Sequence, residues 1–277
     1  MARQRLGQHF LADPGWREEI ARAIRVSPQS LAPSSGKDTN AAWIEIGPGH
    51  GEMTEHLAST GAPVYAIELD PQLAKSLQKL AKRFPNLSII QGDFLETCIA
   101  EVAPGKRLRV YGNLPYYITS PILRHLFASA ALIDEIHVLV QLEVAQRLDA
   151  RPGGRDYGYL SVLTQYFSRP ELVLKVPRNA FQPPPEVDSA LVTLRFPGER
   201  SKLAQHDGTR FLNFVKLSFA QKRKTLVNNL KSLAKPDLIR DSLAELNLRP
   251  DARAEQLSVA ELARLHLRLS PQISPTR

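Results

Sequence analysis

The four residues Asn113-Leu114-Pro115-Tyr116 place two hydrogen-bond acceptors beside an aromatic ring. An exocyclic amine on an aromatic base is a poor nucleophile because its lone pair is delocalised into the ring. The Asn113 side-chain oxygen and the Leu114 carbonyl, which Pro115 keeps out of helix bonding, can bind the two amine hydrogens. Held that way, the nitrogen moves toward tetrahedral geometry and its lone pair points at an electrophile. Tyr116 is then placed to stack on the base. Such chemistry works by positioning and needs no strong general base. The plainer reading of the same residues is a strand-ending Asn-x-Pro turn with a packing tyrosine. A second aromatic, Phe181, stands in Phe181-Gln182-Pro183-Pro184-Pro185-Glu186-Val187-Asp188-Ser189. The proline-stiffened loop could hold it against the opposite face of an extruded base, or it could be a core residue.

A second constellation points to the carrier of the electrophile. The run Glu45-Ile46-Gly47-Pro48-Gly49-His50-Gly51 follows an apolar stretch, and Glu68 ends the next one, 21 positions after Gly47. In a doubly wound sheet the ligand sits at the carboxyl ends of the strands, so both segments face one crevice. Gly47 and Gly49 let backbone approach a ligand, and the Glu68 carboxylate can accept both hydroxyls of a ribose. Where a dinucleotide fold carries its third glycine, this chain has Glu52, which would repel a pyrophosphate. Glu45 and Glu52 suit a cationic sulfonium ligand, so S-adenosylmethionine fits better than a nicotinamide dinucleotide. Asp93, in Gly92-Asp93-Phe94, is placed to bind the adenine amine of that cofactor, unless it is only a helix cap or turn aspartate.

These residues need a frame that brings strand ends together. Apolar or β-branched runs at 43–46, 64–69, 87–91, 108–111 and 136–142 alternate with helix-like stretches such as Pro71 to Arg83. That alternation predicts an α/β fold with a parallel, Rossmann-like doubly wound sheet. Two later strand candidates, at 171–176 and 189–196, close the sheet as a hairpin-like pair after a helical stretch at 157–167. From about residue 198 the apolar spacing becomes helical, with Phe211, Val215, Phe219, Leu226 and Leu230 on one face of a basic helix spanning Phe211 to Lys231. The expected division is a catalytic domain over 1–197 and a smaller all-α domain over 198–277, split at the turn pair Pro197-Gly198. The stretch Ser27 to Asn40 reads as a loop.

Charge sharpens that division. The net +8 lies wholly in the tail: residues 1–194 hold 20 basic and 20 acidic residues, and residues 195–277 hold 16 and 8. A polyanionic partner for the C-terminal domain follows, with Lys216, Lys222, Arg223, Lys224 and Lys231 as its contacts. The alternative is a solvated helix face. The single cysteine, Cys98, excludes an internal disulfide, and the seven scattered histidines offer no metal-ligand spacing, so no metal is expected. No apolar run approaches membrane-spanning length and Met1 to Phe10 has no signal-peptide core, which predicts a cytoplasmic protein that acts away from membranes.

Taken together, these segments resemble the KsgA/RsmA family of small-subunit ribosomal RNA adenine N6,N6-dimethyltransferases. The likeness rests on Leu6-Gly7-Gln8-His9-Phe10-Leu11, the Glu45 to Thr54 glycine segment, Ile67-Glu68-Leu69-Asp70, Gly92-Asp93, Asn113 to Tyr116, Phe181 to Ser189, Arg223-Lys224-Thr225-Leu226 and Asn228-Asn229-Leu230. It covers nearly the whole chain. The resemblance implies a class I methyltransferase domain whose last strand is antiparallel, followed by a helical RNA-binding domain. It also implies that His9, Leu11, Gly47, Glu68, Asp93 and Asn113 line the cofactor site. The implied reaction dimethylates two adjacent adenosines near the 3′ end of 16S rRNA during ribosome biogenesis, with a monomeric enzyme acting on the immature small subunit. Leu142 departs from the pattern, since the family has a lysine there. Two rivals are a large-subunit rRNA adenine methyltransferase of the antibiotic-resistance type and an RNA-binding assembly factor in which catalysis is secondary.

Overall fold

The computed structural model describes residues 9–25, 40–115, 118–203 and 207–270. The chain divides into two compact units, Met1–Ala145 with Glu171–Phe196, and Gln146–Pro170 with Pro197–Arg277.

The first unit is built on β1 (Phe10–Leu11), α1 (Pro14–Ala23), β2 (Ala41–Ile46), α2 (Thr54–Ala58), β3 (Val64–Glu68), α3 (Pro71–Ala81), β4 (Leu87–Gln91), α4 (Ile99–Val102), β5 (Arg107–Asn113), α5 (Thr119–Ala128) and β6 (Ile133–Gln141). After α6 (Leu142–Asp149) and α7 (Tyr159–Phe167) the chain returns for β7 (Arg169–Val176), β8 (Phe181–Gln182) and β9 (Ser189–Arg195). Seven strands form one sheet in the order β4-β3-β2-β5-β6-β9-β7. Its first five strands are parallel, and β9 runs antiparallel to β6. Every residue of β2 is buried. A strand covered on both faces reads as a nearly continuous apolar run, which is why Ala41 to Ile46, but for Glu45, lacks polar alternation. Two of the unit's helices begin where the sequence supplies a cap followed by proline. Asp13 accepts from the Trp16 N–H ahead of α1, and Asp70 accepts from the Gln72 and Leu73 N–H groups ahead of α3.

Strand order reverses between β2 and β5, so the carboxyl ends of these neighbours diverge there into separate loops. The core below that switch point gathers Leu11, Ile20, Ala21, Trp43, Leu57, Tyr111, Leu139, Val176, Phe181 and Leu191. Each fully buried branched side chain among them stabilises the fold by roughly 1.5–3 kcal/mol.

The second unit contains α7, α8 (Gly208–Ser218), α9 (Leu226–Leu230), α10 (Pro236–Glu245) and α11 (Val259–Leu269). Tyr166 of α7 packs its ring 5.0 Å from Phe211 of α8, and the His266 ring of α11 lies 5.3 Å from Phe214. A reciprocal cap between Ser258 and Glu261 starts α11.

The expected sheet and its closing strands match the structure, with β7 and β9 adjacent at one end. Two expectations are corrected. Residues 146–170, expected in the first domain, group with the C-terminal helices because the buried face of α7 packs on α8. The single basic helix over Phe211 to Lys231 is two helices. The first ends at Ser218, Thr225 caps the second by accepting from the Asn228 N–H, and the Asn229 amide of the second donates back to the Ser218 and Gln221 carbonyls. Those bonds satisfy the carbonyls that a continuing helix would have used. The loop expected at 27–40 lies, but for Asn40, outside the described residues.

Candidate active site

Parallel register sets the geometry. Ile46 pairs with Ile67 across β2 and β3, and with Gly112 across β2 and β5; Glu68 pairs with Gln91 across β3 and β4. The ends of four strands therefore reach one level, and Gly47, Glu68, Asp93 and Asn113 each lie within two residues of that level. An open cleft of about 550 Å³ forms there, lined among others by Gly47, Glu68, Leu69, Asp93, Pro115 and Ile118.

Glu68 is 1% exposed, and its two oxygens are anchored separately: Oε2 accepts from the Gly49 N–H at 3.1 Å and Oε1 from the Asp70 N–H at 2.9 Å. A carboxylate has about four acceptor positions, so two backbone bonds orient it and leave capacity for a pair of hydroxyls. Asp93 caps the short helical turn Phe94–Glu96 through Oδ1, which accepts from the Leu95 N–H at 2.8 Å, and it lines the cleft as well. The cap and the ligand-facing readings of Asp93 thus coexist.

Gly49 adopts a φ of +61°, and a Cβ added there would lie 2.8 Å from the Phe10 ring. Glycine is required at this turn on both counts. Phe10 also packs against His50 in a tilted arrangement, with ring centroids 4.5 Å apart. Beneath the turn, Glu45 is 2% exposed and its Oε2 has no hydrogen-bond partner. Burial pushes its carboxyl up to about 8; the Thr54 hydroxyl nearby opposes this in part without making a bond of good geometry, and Glu52 and Glu68 add to the rise. An orphaned buried carboxyl among other carboxylates suits a ligand carrying positive charge. The residues present therefore fit S-adenosylmethionine, whose sulfonium and ammonium groups are cationic.

The N-terminal segment crosses to the acceptor side of the site. β1 pairs with β8, Leu11 opposite Phe181, and the Ala12 and Asp13 N–H groups both donate to the Ala180 carbonyl. The Arg17 guanidinium donates to the Leu11 and Ala12 carbonyls. So held, the His9 carbonyl accepts from Asn113 Nδ2 at 2.8 Å. Asn113 ends β5, and the Leu114 N–H donates to the Leu139 carbonyl.

The structure brings together Gly47, Gly49, Glu68 and Asp93 around the cleft, with Asn113, Leu114 and His9 at the adjoining strand end. Leu11 and Phe181 lie opposite each other in the β1–β8 pair, and their side chains, 4% and 3% exposed, belong to the core cluster. Tyr116 lies outside the described residues. Phe10, which packs over the Gly49 turn, was not singled out from the sequence; it stands in the Leu6 to Leu11 segment, and its placement depends on a pairing between segments about 170 residues apart.

In the second unit Lys216, Lys222, Arg223, Lys224 and Lys231 are all exposed. Lys222, Arg223 and Lys224 occupy the turn between α8 and α9. The Lys222 ammonium donates to the Arg155 carbonyl at 2.7 Å, and the Gly153 N–H donates to the Glu255 carbonyl at 2.7 Å. The turn and the 151–156 loop are thereby tied, which sets Arg151 and Arg155 in a loop bonded to the basic turn.

Comparison with known proteins places these features in context. The family model described as ribosomal RNA adenine dimethylase matches residues 1–270. The chain is 40% identical over 273 residues to the ribosomal RNA small subunit methyltransferase A of Pseudomonas syringae pv. tomato, covering 98% of this chain and 96% of that protein. It is 38% identical over 271 residues to the protein of the same name from Moorella thermoacetica, covering 94% and 90%. Among solved structures, a dimethyladenosine transferase from Plasmodium falciparum superposes with a TM-score of 0.78 at 25% identity, covering 95% of this chain and 98% of that one. The 23S rRNA methyltransferase ErmE superposes with a TM-score of 0.68 at 28% identity, covering 94% and 99%.

Proposed function

The chain belongs to the ribosomal RNA adenine dimethylase family, and from that premise we propose that it dimethylates the N6 amines of two adjacent adenosines near the 3′ end of small-subunit rRNA. The observation that supports this reading is the β2–β5 register, Ile46 opposite Gly112, which sets the glycine turn and Asn113 at neighbouring strand ends on the switch point. S-adenosylmethionine, when bound, supplies a methyl group on a sulfonium. Glu68 holds the ribose hydroxyls of that cofactor, Asp93 its adenine amine, and the Gly47 to Gly49 backbone makes room for it. Asn113 Oδ1 and the Leu114 carbonyl accept the two hydrogens of the target amine in the first transfer, and one of them accepts the remaining hydrogen in the second, aiming the lone pair each time. The amine proton leaves after methyl transfer, once the nitrogen carries positive charge and is strongly acidic, so no basic side chain is needed.

Arg223 and Lys224, with Lys216 and Lys231, meet the phosphates of the immature small subunit, while Lys222 holds the turn to the 151–156 loop. The likeness to a 23S rRNA methyltransferase supplies the second reading, modification of large-subunit rRNA. Mass spectrometry of both rRNAs after incubation with protein and S-adenosylmethionine separates them. Dimethyladenosine in small-subunit rRNA alone is the expected result, and the modification in large-subunit rRNA alone would reverse the assignment.

A further inference from the structure

The Asn113 side chain has two nearly isosteric ends of opposite polarity, and only one orientation serves an amine acceptor site. The Asn113 amide faces the His9 backbone carbonyl at 2.8 Å. A carbonyl oxygen only accepts, so the NH2 end must turn toward it and Oδ1 must turn away. The His9 carbonyl is not free to move out of the way. Its segment is fixed by the β1–β8 pairing, by the Ala12 and Asp13 N–H bonds to the Ala180 carbonyl, by His9 Nδ1 at 2.8 Å from the Pro183 carbonyl, and by Arg17 on the Leu11 and Ala12 carbonyls.

We infer that His9 is a positioning residue whose backbone carbonyl sets the Asn113 amide with Oδ1 presented to the target amine, so that residue 113 must both donate to the strap and accept from the substrate. This inference rests on the reading of Asn113 as the amine-positioning group. It explains why an amide, and not the similarly shaped carboxylate, stands at this position. An ionised aspartate has no proton to donate and would set an oxygen lone pair against the carbonyl oxygen. A protonated aspartic acid presents one donor end and one acceptor end, as the amide does, and restores the arrangement. The carboxyl of an Asn113→Asp variant must therefore titrate above the ordinary carboxylate range of about 4, since the bond to His9 favours its neutral form.

The test compares Asn113→Asp and Asn113→Ala with the parent in single-turnover methylation of small-subunit rRNA across pH, each expressed as a ratio to the parent at the same pH. Cofactor affinity and melting temperature are measured alongside, and the new carboxyl is titrated by NMR. The expected result is that Asn113→Asp falls about 100-fold at neutral pH, the scale of one lost preorganised contact. Its ratio to the parent then climbs as pH falls, along the NMR titration of its raised carboxyl, while Asn113→Ala stays low at every pH. A flat ratio for Asn113→Asp, parent-like activity at neutral pH, or a carboxyl that titrates normally would overturn the role of His9 and leave Asn113 as the amine-positioning residue. Near-parent activity of Asn113→Ala would remove that underlying reading as well. If Asn113→Asp folds only at acidic pH, its melting temperature reports the same need for a donor and supports the inference.

Discussion

The strand-end site of the first unit and the basic turn of the second are both built from loop residues, but their loops are fixed in different ways. Around the cleft, nearly every site residue is held by a backbone group: Glu68 by the Gly49 and Asp70 N–H groups, Asp93 by Leu95, Asn113 by the His9 carbonyl. In the basic turn only Lys222 is tied down in this way, through the Arg155 carbonyl, while Arg223 and Lys224 project as exposed cations. A site that must place one nitrogen lone pair needs such fixing. A surface that meets a charged polymer works through charge density, and its side chains can adapt. Substitutions in the first region should thus have steep, local effects and those in the second shallow, salt-dependent ones.

The largest expected effect is on turnover. Asn113→Ala should lower the single-turnover rate by about 100-fold or more with little change in cofactor affinity. A comparable loss of cofactor affinity would mean that Asn113 belongs to the cofactor side, and the contrast between its role and that of Glu68 would disappear. Next, Glu68→Ala should weaken S-adenosylmethionine binding by roughly 1.5–3 kcal/mol, or about 10- to 150-fold, by calorimetry. Unchanged affinity in a folded variant would show that its two backbone bonds are its whole function.

A smaller effect concerns the buried carboxyl. Glu45 is raised in the folded protein from an ordinary 4.5 to about 8, so its contribution to stability is complete below the ordinary value and is lost as pH rises through about 8. The unliganded parent should lose up to about 2 kcal/mol between pH 6 and 8 on this account, and Glu45→Gln should not. Parallel stability curves from denaturant titrations would show that Glu45 ionises normally. The smallest effect is expected in the second unit. Replacing Arg223 and Lys224 by alanine while keeping Lys222 should weaken subunit binding several-fold and reduce the logarithmic salt slope by somewhat under one unit per lost phosphate contact. Equal slopes for parent and variant would assign both cations to solvation alone.

Legibility followed the same contrast. The sheet could be read because buried parallel strands are largely apolar, and the neighbouring placement of Gly47, Glu68, Asp93 and Asn113 could be read because strand ends in such a sheet share one level. What escaped was long-range pairing. Nothing local in Phe10-Leu11 or Phe181-Gln182 announces a two-residue ladder, so the sequence left Phe181 open between a base-stacking ring and a core residue and did not show its pairing with Leu11. The basic segment showed its charge but not its shape. The apolar period runs through Phe219 into Leu226, and the break between them comes from the Thr225 cap and the Asn229 side-chain bonds, which periodicity does not register.

The place of β9 in the sheet has a consequence for biosynthesis. It is the last strand along the chain among the described residues, yet it lies between β6 and β7, and β7 is the end strand of the sheet. As the chain emerges from the ribosome, β7 is complete at Val176 but has nothing to pair with until Ser189 to Arg195 has been made. Until then β6 carries an open edge and β7 is a stray strand, the two kinds of unpaired backbone that invite mispairing with another chain. A nascent chain halted before Ser189 can therefore order the parallel strands but cannot close the sheet.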